Sequence, residues 1–308
     1  MNFYRVFSDV LCRKTLIFIL LTVKLFVLYY TRDAQPRTHA YIENARTRPA
    51  FRSDTMDGQT KIIAVAGKGG VGKTSLSAVI VKLLVENFPN KRILAIDADP
   101  AIGLSTALGV EPKKTIDDVR KETVAQTQNG KISPLEILGN AEYSVDEAIC
   151  SQKGFSFIAI GRPETAGCYC KINTYLKDVI ALISKHYDYV VIDGEAGIEQ
   201  INRRVMEKVT HLLLVTDQSK KGRDVVATIA KVATNLVMYD QIGVVQNRMS
   251  EEALAQKPII DNLETLAYVP CDAALAQMDA KGENVFSLPS NTPVCLGAKR
   301  VLKEIHIL

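Results

Sequence analysis

The chain lacks the features of several specialised protein classes. It has no tryptophan, which says nothing about function, and only six cysteines among 308 residues. Cysteines so few and so scattered do not form the disulfide framework of a small secreted protein. A reducing cytoplasm is therefore the expected location. The hydrophobic content of 47% and the charged content of 23% are ordinary for a globular protein, and the length is ample for a buried core.

The body of the chain also lacks an excess of positive charge. Residues 1–55 carry nine Lys/Arg and four Asp/Glu, whereas the whole chain has 38 and 34. The remaining residues therefore hold 29 basic and 30 acidic side chains, a net charge of −1. Proteins that bind nucleic acids present basic surfaces to the phosphates, so no nucleic-acid partner is expected for this body.

A convincing membrane-spanning or export segment is missing too. Residues 15–30 are apolar apart from Thr22 and Lys24. As a helix they would cover about 24 Å, less than the roughly 30 Å hydrocarbon core of a bilayer, and a central lysine adds a cost of about 3 kcal/mol. The following Tyr29-Tyr30-Thr31-Arg32 does not resemble the small-residue cleavage site of a signal peptide. The segment is at best a poor membrane anchor.

The first 55 residues form an extension that differs from the rest of the chain. Residues 31–55 are polar and arginine-bearing without periodicity, which predicts a linker. Met56 lies five residues before the first predicted strand. We prefer the hypothesis that the functional protein begins at Met56 and that the extension reflects a mis-assigned start. The alternative is that residues 15–30 are a real membrane tether. In either case residues 56–308 are predicted to form one domain.

Short apolar runs alternate with helical patterns from Lys61 onward. This alternation is typical of parallel βαβ units, whose sheet is buried on both faces. The sequence therefore predicts an α/β fold with a mostly parallel central sheet flanked by helices, and the more polar residues 113–152 as an insertion or helical cap. The predicted strands are 61–66, 92–96, 155–160, 189–193, 211–216, 242–246 and 266–269, and the predicted helices lie near 74–87, 172–186, 198–208, 222–237, 252–264 and 296–305.

A glycine-rich stretch follows the first predicted strand. It reads Gly67-Lys68-Gly69-Gly70-Val71-Gly72-Lys73-Thr74 and leads into an amphipathic helical pattern. Its glycines allow a tight turn whose N–H groups face an anion, as in the P-loop of nucleoside triphosphatases. Lys73 is then expected to reach the β- and γ-phosphates of ATP, and the Thr74 hydroxyl to ligate Mg²⁺. The predicted nucleotide contacts are Gly67, Lys68, Gly69, Gly70, Val71, Gly72, Lys73, Thr74 and Ser75.

Acidic residues stand at the ends of two predicted strands. Asp97 and Asp99 follow the second strand, and Asp193 ends the strand 189–193. Carboxylates at the carboxyl ends of parallel strands project into the crevice where such sheets bind ligands. Asp97 and Asp193 are predicted to hold Mg²⁺ with Thr74, and Asp99 to orient the attacking water. The Gly197 N–H is predicted to meet the γ-phosphate. The alternative for Asp97-Ala98-Asp99-Pro100 is an ordinary turn.

Two further strand ends are candidates for recognition of the base. Asn247 follows the strand 242–246, and Pro270 and Asp272 follow the strand 266–269. The Asn247 amide is suited to reading the edge of an adenine. Both segments can also be simple turns, because Asn, Asp and Pro favour turns.

Taken together, these motifs resemble those of the deviant Walker A ATPases, the family that includes MinD, ParA and the nitrogenase iron protein. The resemblance rests on the P-loop with its second lysine Lys68, the Asp97–Pro100 strand end, Asp193 with its glycine loop, and Asn247-Arg248. It covers roughly residues 61–308. It implies that two protomers enclose two ATP molecules as a homodimer. It also implies that Lys68 reaches the partner's phosphates and acts in catalysis beside Lys73 and Asp99.

The segment Cys168-Tyr169-Cys170 points to one branch of this family. Two such pairs across a dimer axis supply four thiolates, enough for a tetrahedral metal site. The alternative is a chance pair of small residues. The motif resembles that of the CooC-type ATPases, which support nickel insertion into carbon monoxide dehydrogenase. The resemblance implies Ni²⁺ or Zn²⁺ at Cys168 and Cys170 of two protomers. It also implies a client enzyme, which is carbon monoxide dehydrogenase or another nickel enzyme.

Two rival functions remain open at the level of sequence. One is a positioning or partition switch of the MinD or ParA type, for which binding to lipid or DNA without a bound metal would be evidence. For the chain itself, a membrane partner is expected only if the N-terminal extension is real. The other is an ATP-dependent iron–sulfur reductase resembling the nitrogenase iron protein. That protein carries a second cysteine shortly after its Walker B aspartate, whereas here no cysteine lies between Cys170 and Cys271.

Overall fold

Eight strands form a single sheet in the part of the chain that the structure, a computed structural model, describes. The described residues are 59–128, 145–162, 170–195, 205, 207–260 and 262–308. The N-terminal extension, with its predicted membrane segment and linker, lies outside these ranges. The strands are β1 (Lys61–Gly67), β2 (Ile93–Asp97), β3 (Cys150–Gln152), β4 (Phe155–Ala159), β5 (Tyr189–Asp193), β6 (His211–Thr216), β7 (Gln241–Met249) and β8 (Thr265–Pro270).

The strand order in the sheet is β3-β4-β2-β5-β1-β6-β7-β8. All neighbours run parallel except β3, which pairs antiparallel with β4 at one edge. Parallel neighbours bring their carboxyl ends to the same edge of the sheet, so the residues that follow β1, β2, β5, β6 and β7 meet there. The predicted fold class, a mostly parallel central sheet with flanking helices, is confirmed.

Helices cover both faces of the sheet. They are α1 (Lys73–Asn87), α2 (Gly103–Leu108), α3 (Ile116–Gln128), α4 (Cys170–Ser184), α5 (Lys220–Leu236), α6 (Glu251–Gln256), α7 (Ala273–Lys281) and α8 (Pro293–Glu304), with a 3₁₀ turn at Val285–Ser287. None of the helices in the described ranges combines the length and the apolar character needed to cross a bilayer.

Alternate residues of each strand supply two separate hydrophobic cores. In β1, Ile63 and Val65 pack with α1 and α8, whereas Ala64 and Ala66 pack on the opposite face with α4 and α5. Because side chains point to opposite faces of a strand in turn, a strand covered on both faces reads as a continuous apolar run. This is why all seven predicted strands are found within one to three residues of their expected ends.

The helix predictions are less accurate than the strand predictions. The helix expected over 252–264 is wrong, because α6 ends at Gln256, Lys257 has φ 43°, and Pro258 follows. A left-handed residue followed by proline ends a helix. The short helices α2 and α7 and the edge strand β3 were not expected. Residues 113–152 do contain a helix, α3, together with β3, while most of the predicted helix 198–208 lies outside the described residues.

Candidate functional site

The P-loop joins β1 to α1 at the carboxyl edge of the sheet. Gly67 has φ 144° and Gly72 has φ 90°, both in regions that favour glycine. A Cβ on Gly67 would lie 2.1 Å from the Val215 carbonyl oxygen of the neighbouring strand β6. The loop therefore begins where only hydrogen can occupy the side-chain position, and its backbone runs directly against β6.

Replacing Gly67 by alanine is expected to destabilise the protein by about 2–3 kcal/mol, because the methyl group would collide with a fixed strand backbone. Gly70→Ala is the matched control. Gly70 also has a positive φ, 78°, but a Cβ there meets nothing within 4 Å, so only the backbone strain of about 1 kcal/mol remains. Urea unfolding of both variants measures the difference. Equal losses would contradict the close approach of the loop to β6.

The two P-loop lysines have different partners. The Lys73 side chain is buried, and its Nζ donates to the Lys68 carbonyl oxygen at 3.3 Å, so it turns back over the loop. The Lys68 Nζ instead donates to Asp217 Oδ2 at 2.7 Å. Asp217 directly follows β6 and was not predicted as a site residue. An acid at a strand end was its only signal in the sequence.

Asp217 is held as an anion by its surroundings. Its Oδ1 accepts hydrogen bonds from the Ser219 backbone N–H at 3.1 Å and from the Ser219 hydroxyl. Burial alone would raise the pKa of Asp217, but the hydrogen bonds from Lys68 and Ser219 hold it below the ordinary value. The Lys68–Asp217 pair is half-exposed on both sides. It ties the tip of the P-loop to the start of α5.

The acids at the ends of β2 and β5 lie side by side. Asp97 pairs in register with Asp193, and both are fully buried. The Ser77 hydroxyl on α1 donates to Asp193 Oδ1 at 3.0 Å. Burial raises the pKa of Asp193 to about 6, although the hydroxyls of Thr74 and Ser77 and the charge of Lys73 act in the opposite direction.

Asp97 also organises the loop that follows β2. Its Oδ1 accepts the Asp99 N–H at 3.1 Å, and its Oδ2 accepts the Leu104 N–H at 2.8 Å. Burial, and then the neighbouring Asp193, raises the pKa of Asp97 to about 7. Two buried carboxylates side by side repel each other when both are ionised. The pair is therefore in an environment that favours a bound cation or a shared proton.

The arrangement fits a bound Mg²⁺ ion. Asp193 Oδ2 is buried and has no hydrogen-bond partner in the described part of the protein, and the Thr74 hydroxyl lies beside the same carboxylate. The described ranges contain no cluster of three or more His, Cys, Asp or Glu suited to a metal. Mg²⁺ does not require one, since it commonly uses one or two carboxylates, substrate phosphates and water. Thr74, Asp193 and Asp97 are therefore chemically suitable.

Asp99 lies on a turn at the edge of this pair. It is half-buried, and its Oδ1 accepts the Ala101 N–H at 2.9 Å. Its charge raises the pKa values of both Asp97 and Asp193, so the three carboxylates are close together. The predicted role of Asp99 in orienting water stays a prediction.

The end of β7 contacts the P-loop directly. The Asn247 Nδ2 donates to the Val71 carbonyl oxygen at 2.8 Å, and the Arg248 Nη1 donates to the Gly70 carbonyl oxygen at 2.8 Å. Asn247 is buried and Arg248 is exposed. The amide group of Asn247 that was assigned to the base is thus engaged by the loop, and its contact with adenine stays a prediction.

Asp272 has a structural role beside the site. Its Oδ1 accepts the Leu275 N–H at 3.0 Å as the N-cap of α7, and its Oδ2 accepts the Val294 N–H at 3.0 Å. Pro270 ends β8 just before it. The base contacts predicted for Pro270 and Asp272 remain predictions, and the capping role explains why an aspartate stands at this position.

The remaining predicted site residues are described only in part. Ser75 is half-buried in the first turn of α1, Gly69 is exposed and Val71 is buried. Gly197 and Cys168 lie outside the described residues, as does the side chain of Cys170, the first residue of α4. The roles assigned to Gly197, Cys168 and Cys170 therefore stay predictions.

Comparison with known protein families identifies the family of this chain. Residues 62–285 match the CobQ/CobB/MinD/ParA nucleotide binding domain. The chain belongs to this family. The matched range includes the P-loop, the paired acids after β2 and β5, and the Asn247-Arg248 strand end.

Individual members of the CobQ/CobB/MinD/ParA family align over most of the chain. The ATP-binding protein MJ0685 of Methanocaldococcus jannaschii is 34% identical over 252 residues, which are 79% of this chain and 98% of that protein. The carbon monoxide dehydrogenase accessory protein CooC of Rhodospirillum rubrum is 27% identical over 255 residues, 76% of this chain and 91% of that protein.

A solved structure of this family has the same fold. The septum site-determining protein MinD of Pyrococcus horikoshii, complexed with Mg-ADP, superposes with a TM-score of 0.57 at 19% identity. The match covers 80% of this chain and 96% of that one. At this level of identity the likeness concerns the fold alone.

Proposed function

We propose that residues 56–308 form a Mg²⁺-dependent ATPase that dimerises on binding ATP and helps to insert nickel into a client enzyme. The client is carbon monoxide dehydrogenase or another nickel enzyme. The observation that carries the proposal is the Cys168-Tyr169-Cys170 motif in a chain of the MinD/ParA family that is 27% identical to CooC. The cytoplasm is the proposed location, because ATP is available there and thiols stay reduced. A membrane becomes a partner only if residues 15–30 form a tether.

In this proposal the residues of the nucleotide site have separate roles. Lys73 contacts the β- and γ-phosphates, and Asp99 orients the water that attacks the γ-phosphate. Lys68 leaves Asp217 and reaches the phosphates in the partner subunit. Bound Mg²⁺, held by Thr74 and Asp193 with support from Asp97, would neutralise charge on the phosphates. Gly197 donates its N–H to the γ-phosphate and loses this contact after hydrolysis.

The β4 strand end supports a coupling between the nucleotide site and the cysteine pair. The Ile160 N–H donates to the Asp97 carbonyl oxygen at 2.8 Å, and the Ile160 carbonyl oxygen accepts the Asp117 N–H at 2.9 Å. From Ile160 the chain continues to Cys168 within eight residues. We therefore expect a change at Asp97 on nucleotide binding to reach Ile160, which begins the sequence segment that leads to both cysteines.

Metal analysis of the full chain, purified without oxygen and incubated with ATP, Mg²⁺ and Ni²⁺, tests the proposal. We expect one Ni²⁺ or Zn²⁺ per dimer, and we expect it to be lost in both Cys168→Ser and Cys170→Ser, because two thiolates from each protomer complete a tetrahedral site. Cys271→Ser is the matched control, since Cys271 is an exposed free cysteine outside the motif. Its metal content should equal that of the unmodified protein.

The same preparation distinguishes the rival functions. A brown protein absorbing at roughly 400 nm would instead indicate an iron–sulfur reductase, because thiolate-ligated clusters absorb there. A metal-free protein that binds lipid vesicles or DNA in the presence of ATP would favour a positioning or partition switch. Retention of nickel in both cysteine variants would mean that Cys168 and Cys170 do not ligate the metal.

A further inference from the structure

Two consecutive carbonyl groups of the P-loop are held by two consecutive residues of β7. Arg248 Nη1 binds the Gly70 oxygen, and Asn247 Nδ2 binds the Val71 oxygen, each at 2.8 Å. Both hydrogen bonds join segments more than 170 residues apart in the sequence. The loop would otherwise be a glycine-rich segment with many accessible backbone conformations.

The planarity of the peptide bond gives these contacts a consequence on the other side of the loop. In a trans peptide the C=O of one residue and the N–H of the next point in opposite directions. Fixing the Gly70 oxygen therefore fixes the direction of the Val71 N–H, and fixing the Val71 oxygen fixes that of the Gly72 N–H. These N–H groups belong to the set that a P-loop directs at phosphate.

We infer that Asn247 and Arg248 are positioning residues that preorganise the P-loop for phosphate, independently of any contact with the base. This inference relies on the proposed function only for the nucleotide as ligand. A loop whose donors already point at the phosphates does not have to be ordered during binding, and avoiding that cost increases affinity.

Two details of the local backbone support this role. A Cβ on Gly72 would lie 2.6 Å from the Asn247 Nδ2, so the missing side chain at Gly72 makes room for the amide. Arg248 has φ 56°, a left-handed conformation that costs a non-glycine residue about 1 kcal/mol or more. This strained backbone directs the guanidinium back over the loop, close to Gly72 as well as Gly70.

A ligand without a base separates positioning from base recognition. We would measure the dissociation constants of ATP, GTP and inorganic tripolyphosphate by calorimetry for the full-length protein and for Asn247→Ala and Arg248→Ala. Asn247→Ala should lose about tenfold in affinity, the equivalent of one buried hydrogen bond, and Arg248→Ala, whose hydrogen bond is exposed, should lose less. In each variant the loss should be equal for ATP and tripolyphosphate. The preference for ATP over GTP should not change.

Controls separate the hydrogen bonds from charge and from folding. Arg300→Ala removes an exposed arginine on α8 whose partner is Glu304, and it should bind all three ligands normally. Part of the loss in Arg248→Ala should persist at high salt, because a hydrogen bond to a carbonyl is screened less than attraction between exposed charges. If Asn247→Ala does not fold, Asn247→Leu removes the same donor at similar size without adding a charge.

Two results would overturn the inference. An unchanged affinity for tripolyphosphate with a weakened affinity for ATP, or a lost preference for ATP over GTP, would make Asn247 a base reader only. A loss in Arg248→Ala that disappears at high salt would make Arg248 a charge acting on the phosphates. If tripolyphosphate binding is as expected but the metal analysis finds no nickel, only the proposed function is contradicted. Binding of tripolyphosphate requires no metal at the cysteines, no dimer and no client enzyme.

Discussion

Replacing Lys68 by alanine is expected to lower kcat for ATP hydrolysis by about 10³-fold, the lower end of the effect of a cationic group supplied in trans to a transferred phosphoryl group. The structure adds a reason to expect this residue to act outside its own protomer. Lys73 already turns over the P-loop, whereas Lys68 is held away from it by Asp217. Phosphate release measured over a range of protein concentrations tests the prediction.

The concentration dependence identifies the dimer step. The unmodified protein should show a specific activity that rises with concentration until dimers predominate, and Lys68→Ala should remain at the low rate throughout. Lys220→Ala is the matched control, because Lys220 is an exposed lysine at the start of α5. If Lys68→Ala hydrolyses ATP at the full rate, and the rate still rises with protein concentration, Lys68 does not act on the ATP bound by the partner subunit.

Asp217→Asn is the companion variant. In the proposed dimer, Lys68 leaves Asp217 to reach the ATP bound by the partner subunit, so removing the charge of Asp217 should favour the dimer. The pair is half-exposed, and such pairs contribute about 0.2–1 kcal/mol. Each dimer breaks two such pairs, so the protein concentration for half-maximal activity should fall by at most about thirtyfold. A rise in that concentration would mean that Asp217 contributes to the dimer itself.

The parts of the site that could be predicted are those that the sheet determines. Asp97 and Asp193 each end a continuous apolar run, and parallel strands bring such ends to one edge, so their adjacency followed from the strand pattern. The pairing of Lys68 with Asp217 could not be predicted in this way. It joins two loops 149 residues apart, and the side chains of a loop have no periodicity that indicates their direction.

The helix errors have equally local causes. Pro258 breaks the helix expected over 252–264, because proline cannot continue a helix interior, and α6 ends at Gln256 just before it. The helix α7 begins at an Asp272 N-cap and ends at Gly282, which are recognisable signals. Asp272 also fits the predicted contact with the base, so its capping role was not expected.

Asp97→Asn is expected to stabilise the nucleotide-free protein at pH 8 and to lower ATP hydrolysis by at least about 100-fold. Burial and the neighbouring Asp193 raise the pKa of Asp97 to about 7, from 3.8 in the unfolded chain. Such a shift corresponds to roughly 4 kcal/mol, and losing one acceptor for the Asp99 or Leu104 N–H removes about 1–3 kcal/mol of it. A net gain of about 2 kcal/mol, or several degrees in Tm, remains.

The pH dependence gives the sign of this effect. Between pH 4 and pH 7 the folded protein keeps the Asp97 proton that the unfolded chain has lost, so this group's contribution to stability falls as pH rises through that window. Below pH 4 the Asp97 carboxyl is protonated in both the folded and the unfolded chain, so replacing it by asparagine removes no charge there and gives no gain in stability. The Tm of Asp97→Asn should therefore lie below that of the unmodified protein at pH 4, where only the lost acceptor acts, rise relative to it through pH 7 and stay constant above it. Asp279→Asn, at an exposed position on α7, should show no such growth. A Tm difference between the variant and the unmodified protein that falls from pH 4 to pH 8 would contradict this prediction. It would mean that the hydrogen bonds to Asp97 outweigh the repulsion between the two carboxylates.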